Sequence, residues 1–201
     1  MERNWKRIGA WCGILAGIQF VILTFANMLI YPGGYSFLEN SFSQLGFSVI
    51  NSVETPLNWF LFAAATTIAG VLSIPFWLAI RTPFTETELQ RVISGIGTII
   101  GIIAGPCLAG IGIFAGDVYP TQHGWSTLLF FLLYAIAIAI YTIVILVNKE
   151  YGYIYALGII ATVILFLHIY VIRGAAMQKL TVYSIIFYSV FQGHRLLKLY
   201  Q

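Results

Sequence analysis

Apolar positions divide the 201-residue chain into six runs, at residues 8–30, 56–80, 92–115, 124–147, 151–172 and 180–197. Each approaches the roughly 20 residues that one helical crossing of a bilayer needs. Hydrocarbon offers backbone groups no outside partner, so each run is expected to be a helix. Polar residues enter both of the last two, with His168 in the fifth and Gln192, His194 and Arg195 in the sixth. The pattern predicts an all-α integral membrane bundle of six transmembrane helices, forming one domain over residues 1–201.

The connections between the runs set an orientation. The N-terminal flank, the second and fourth connections and the C-terminal flank together hold eight of the ten Lys and Arg residues. Arg173 and Lys179, in the fifth connection, are the other two. Basic residues accumulate on the cytoplasmic side, which places both termini in the cytoplasm of a cell-membrane protein. The first apolar run is as long as a full span and lacks a small-residue cleavage site, so it is expected to stay as an anchor.

Composition agrees with lipid as the main solvent. Charged residues make up 8% of the chain, against about 25% in soluble domains. A net charge of +3 gives no reason to expect nucleic acid. Cys12 and Cys107 both fall inside apolar runs and read as small buried hydrophobes.

The first connection, residues 31–55, is the longest. It opens on Tyr-Pro-Gly-Gly, a turn signal, and then mixes Phe37, Leu38, Phe42 and Leu45 with Glu39, Asn40, Ser41, Ser43 and Gln44. That mixture suits a segment lying in the outer interface. In the second connection, Thr85 followed by Glu88 forms a capping-box pattern that would start the third helix. Gly9, Gly13 and Gly17 in the first run, and Gly97, Gly101, Gly105 and Ala109 in the third, are rows of small residues four apart. Such rows let helices approach closely and could also serve a homo-oligomer. Pro75 and Pro106 should kink or loosen their helices.

In this orientation the polar residues gather towards the outer side. Residues 116–125 read Gly-Asp-Val-Tyr-Pro-Thr-Gln-His-Gly-Trp and bring an acid and an imidazole into one short connection. The catalytic candidates are Asp117, His123 and Ser43. Glu39, Asn58, His168 and Arg173 are the candidates for holding a lipid or ligand in a polar outer pocket. A hydrolase or transferase would use His123 as base, Asp117 or Glu39 as the orienting carboxylate, and Ser41 or Ser43 as nucleophile. Each residue also has a plainer reading: Asp117 as a helix cap, His123 or His168 bonded to a carbonyl or a neighbouring helix, Arg173 reaching lipid headgroups. Asp117, His123 and His168 form an acceptable oxygen–nitrogen donor set, but their spacing matches no standard zinc pattern, and no metal site is assigned. A proton path would need polar groups through the full thickness, and between His168 and His194 the chain offers little beyond Gln19.

Three segments resemble the six-span membrane family catalogued as domain of unknown function 998, and more distantly the damage-regulated autophagy modulator group. Ser43, Leu45 and Gly46 match the family's Ser-x-Leu-Gly segment after the first span. Gly112, Phe114, Pro120 and His123 match its Gly-x-Phe…Pro…His stretch. Gln178-Lys179 takes the place of a polar-basic pair before the last span. The resemblance implies six spans and names no reaction or cofactor; the distant relatives' association with lipid processing and trafficking tilts the expectation towards lipid. The alkaline-ceramidase-like membrane hydrolases use two His four residues apart on one late span, and this chain has no His-x-x-x-His. The leading expectation is a noncatalytic protein that binds membrane lipids or a partner, with no nucleic acid. A membrane-embedded lipid hydrolase or transferase is the alternative.

Overall fold

A computed structural model describes residues 2–201, with side chains described from Asn4 onward. The Arg3 side chain, part of the basic N-terminal flank, lies outside the described residues. Six helices follow one another: α1 Glu2–Leu29, α2 Pro56–Arg81, α3 Glu88–Ile113, α4 Pro120–Val147, α5 Gly158–Tyr170 and α6 Ala175–Leu199. A 3₁₀ turn, Tyr153–Leu157, precedes α5. Consecutive helices pack on one another, and α6 returns to α1, so the bundle closes as a ring.

Five segments are long and apolar enough to cross a membrane, the fifth combining the 3₁₀ turn with α5 as Tyr153–Tyr170. The α6 helix is as long but more polar and stands outside that set. Exposure is inverted relative to a soluble protein. Along α1 the exposed residues include Trp11, Leu15, Ile18, Ile22 and Phe25, three or four apart, whereas Thr24 and Asn27 are buried. The same holds on α2 and α3, where Thr66, Ser73, Ser94 and Thr98 face inward. A chain whose solvent is hydrocarbon gains nothing by hiding leucine, and it must pair its hydroxyls inside.

The small-residue rows close within the chain. A Cβ on Gly9 would strike Pro75 and Ala79, one on Gly13 the Phe76 ring, one on Gly101 the Trp77 indole, and one on Gly105 the Gly70 carbonyl. Gly9, Gly13, Gly101 and Gly105 therefore seat α2 between α1 and α3, while Gly17 meets Ile186 of α6 and Gly97 meets Ile140 and Tyr141 of α4. The α2 and α3 helices continue through Pro75 and Pro106.

One local expectation changes. The N-cap of α3 is Thr87, whose Oγ1 accepts the Gln90 N–H at 3.2 Å. Thr85 instead lies before the helix, where its carbonyl accepts from the Arg91 guanidinium. The first connection folds into a cap on one end of the bundle. Its 3₁₀ helix, Phe42–Gly46, buries Phe42, Leu45 and Gly46. A hairpin follows, pairing β1 Val49–Ile50 with β2 Val53–Glu54. Asn51 and Ser52 turn it with positive φ of 51° and 64°, as a two-residue hairpin loop requires. Phe37 and Leu38 remain exposed.

Candidate functional site

The cap is fastened to four helices, and the fastenings explain many of the polar residues picked out above. Asn27 and Asn58, on α1 and α2, are both buried. Asn58 Nδ2 donates to Asn27 Oδ1 at 2.6 Å, and Asn27 Nδ2 donates to the carbonyls of Asn58 at 2.8 Å and Leu45 at 3.2 Å. Asn58 is thus taken up in a clasp under the cap and lines neither cleft described below. Lys179, 2% exposed, reaches from the start of α6 into the cap. Its ammonium donates to the Asn40 carbonyl and lies 5.0–5.4 Å from the ring centres of Tyr35, Phe37 and Phe42. Three aromatic faces and a carbonyl replace its water.

Asp117 is a latch of the same kind. Both carboxylate oxygens accept the Ser48 N–H at 3.0 Å, and Oδ2 also accepts the Ser48 hydroxyl at 2.7 Å and the Val49 N–H at 3.0 Å. Burial pushes its pKa up, but the hydrogen bonds from Ser48 and Val49 outweigh this and hold it below the ordinary carboxylate value. Every one of these partners belongs to the cap, so Asp117 does not orient His123.

His123 meets other groups. It sits in the first turn of α4, which Pro120 opens at N1, a position where its missing N–H costs nothing. Its Nδ1 lies 3.0 Å from the Phe114 carbonyl and its Nε2 lies 3.1 Å from Ser43 Oγ. A carbonyl can only accept, so Nδ1 carries the proton and the Nε2 lone pair faces the serine hydroxyl. Ser43 Oγ also accepts from Gln178 Nε2 at 3.4 Å, while Gln178 Oε1 accepts the Phe42 N–H at 2.8 Å. Ser43, His123 and Gln178, from the cap, α4 and α6, converge on one point.

Two cavities meet there. Ser43, His123, Thr127, Phe131, His168 and Arg173 are among the walls of a polar-mouthed cleft of about 500 Å³. A narrow apolar cavity of about 80 Å³ lies inside the ring, with walls from α1, α2, α3, α4 and α6 that include Phe20, Phe62, Phe76, Ile111, Phe130 and Ile185. Ser43, Thr127 and Phe131 line both. On α6 the cavity extends from Gln178 to Ser189, about 16 Å at 1.5 Å per residue. A shallower cleft on the far side of His168 is lined by Glu39, Ser41 and Gln178.

The structure therefore brings Ser43, His123, His168 and Arg173 to one cleft, puts Glu39 beside it, and removes Asp117 and Asn58 to the framework. His168 stands edge-on to Phe131, with centroids 5.4 Å apart, and its buried Nδ1 has no hydrogen-bond partner. Among the described residues, no group of three His, Cys, Asp or Glu is gathered to hold a metal ion. Two participants had weak signals or none in the sequence: Gln178 showed only as half of a polar-basic pair, and the Phe114 carbonyl is backbone.

The short motifs now have physical causes. Leu45 is 0% exposed in the core, and a Cβ on Gly46 would meet the Phe62 ring, so the 3₁₀ helix can sit low enough to present Ser43. A Cβ on Gly112 would overlap Thr66 and Ala63 of α2, so glycine lets α3 end where the Phe114 carbonyl meets His123.

Five long apolar helical segments among the described residues, with large apolar side chains on their outer faces, define a multi-pass membrane protein. Residues 14–191 match the family described as a protein of unknown function, DUF998, and the chain belongs to that family. No curated protein matches the chain. No solved structure matches it either.

Proposed function

We propose that this protein binds a membrane lipid, with an acyl chain in the apolar cavity and the polar part of the lipid in the cleft beside His168 and Arg173. The observation that carries this is the shared wall: Ser43, Thr127 and Phe131 line an apolar cavity on one side and, on the other, a cleft that carries His123, His168 and Arg173. A site of that shape fits an amphiphile. Arg173, exposed at the cleft, supplies a guanidinium suited to a phosphate or carboxylate headgroup. The looser likeness to the damage-regulated autophagy modulator group points the same way.

In the same reading α6 is the sixth crossing and the cap faces outward in the cell membrane. Lys6, Arg7, Arg81, Arg91, Lys149, Arg195 and Lys198 flank the opposite, cytoplasmic end, in keeping with the bias of basic residues. A cysteine at Thr121, exposed beside the cap, should react with an impermeant thiol reagent added to intact cells. Labelling only after permeabilisation would reverse the orientation.

The lipid itself is tested by native mass spectrometry of the protein released from nanodiscs. Ala69→Phe places a ring in the apolar cavity and should abolish a lipid that the parent protein carries, with thermal unfolding confirming that the variant folds. A parent protein that carries no lipid, or a filled variant that carries the same lipid, would end the proposal.

A further inference from the structure

We infer that Ser43 and His123 form a catalytic dyad that accepts an acyl group from the bound lipid; this rests on the lipid-binding reading. The dyad stands on the geometry at the junction of the two cavities. The Phe114 carbonyl at 3.0 Å fixes the imidazole with its proton on Nδ1, leaving Nε2 to accept from the Ser43 hydroxyl at 3.1 Å. A nucleophile, a base and a group that orients the base are the parts of an activated serine. Here the orienting group is a backbone carbonyl, and the carboxylate of Asp117 is engaged elsewhere.

The placement selects the substrate class. Ser43 lies in the wall shared by the apolar cavity and the cleft of His168 and Arg173. The carboxylic ester of an acyl lipid is the bond that occupies such a boundary, since it joins the hydrocarbon chain to the polar part. The Gln178 side chain is held from behind by the Phe42 N–H and turns its Nε2 donor towards Ser43. It is therefore placed to stabilise the oxyanion that forms when the ester carbonyl is attacked.

The step balances without a further reagent. Ser43 Oγ bonds to the ester carbonyl carbon while its proton passes to His123 Nε2. The C–O bond to the alcohol part then breaks, and that oxygen leaves with the proton from His123. Water, or the hydroxyl of a second lipid, then attacks the acyl-serine; its proton passes through His123 to Ser43, and the acyl group departs as an acid or a new ester.

The test is a fluorophosphonate bearing a long alkyl chain, applied to the whole protein in nanodiscs, with the adduct mapped by peptide mass spectrometry. Attack by Ser43 forms an Oγ–P bond and expels fluoride. The expected result is a single adduct on Ser43, competed by an acyl lipid, absent in Ser43→Ala and at least ~100-fold slower to form in His123→Ala, the lower end of a general base's usual contribution. Because the adduct is mapped on the parent protein, a variant that fails to fold does not blur the outcome. A parent protein that carries lipid yet leaves Ser43 unlabelled would overturn the dyad while sparing the binding proposal. In that case the Ser43–His123 bond is a fastening of the cap, and both variants would lower only the unfolding temperature.

Discussion

The two ends of this bundle solve opposite problems. At the basic end the ring of helices is filled. Trp77 is fully buried, with Phe76, Tyr134, Tyr141 and Tyr188 within 5.3–6.4 Å of its ring by centroid. Tyr141 also donates to the Ser94 carbonyl and shares a 2.6 Å hydrogen bond with Thr98. At the cap end the same ring is left open inside, and the cap is held by polar fastenings together with Phe42, which packs edge-on to Phe20 and Tyr183. Packed aromatics give rigidity and leave no room, whereas hydrogen-bonded latches around a cavity leave a space and a way into it. The difference is what the proposed site at the cap end and a rigid basic end would require.

Removing the plug should have the largest effect. Trp77→Ala deletes the side chain around which four rings are arranged, a change that costs about 3–5 kcal/mol for a buried aromatic. The expected result is a large fall in the unfolding temperature in detergent. If the plug sets the depth of the cavity, a chemically refolded or lipid-rescued variant should also carry longer acyl chains in native mass spectrometry. A variant as stable as the parent would show that the basic end is not the rigid half.

Loosening the cap should have a smaller effect of a different kind. Lys179→Met keeps the volume of the stem but removes the ammonium from Tyr35, Phe37, Phe42 and the Asn40 carbonyl. A desolvated cation–π contact is worth about 2 kcal/mol. The loss should fall on the cap alone, read as faster hydrogen exchange at residues 35–47 with the helical core unchanged. Uniformly faster exchange would mean that the two ends unfold as one.

The contrast also explains what could be read from the sequence. The helices were legible because each needs its own run of apolar residues, and the α-helical membrane class follows from those runs directly. The Ser43 and His123 pair was legible as candidates because polar residues are scarce in such a chain. The choice between Ser41 and Ser43, and the separation of Asp117 from His123, were not, because only folding of the cap sets Ser43 against His123 and turns Asp117 towards Ser48. Lys179 reads as one more basic flank residue until Tyr35, Phe37 and Phe42, far away in sequence, enclose it. Asn58 reads as a ligand-facing amide, yet it is buried with its Nδ2 on Asn27.

The mildest perturbation of the comparison is a proton. Hydrogen bonds from Ser48 and Val49 hold the Asp117 pKa below its ordinary value of 3.8, against the opposing effect of burial. The unfolded or undocked form therefore takes up the proton first as pH falls. The docking that Asp117 provides is fully present above the ordinary value and is lost as pH falls through the lower value of the docked state. Exchange at the Ser48 and Val49 amides should thus rise in that acid window, while the Trp77 half stays protected. Asp117→Asn should abolish this pH dependence and weaken the latch by about 1 kcal/mol at neutral pH, since an amide oxygen accepts less strongly than a carboxylate. If exchange at the cap and at the plug rises together in acid, the proton is acting elsewhere, and Asp117 is not what holds the hairpin to the bundle.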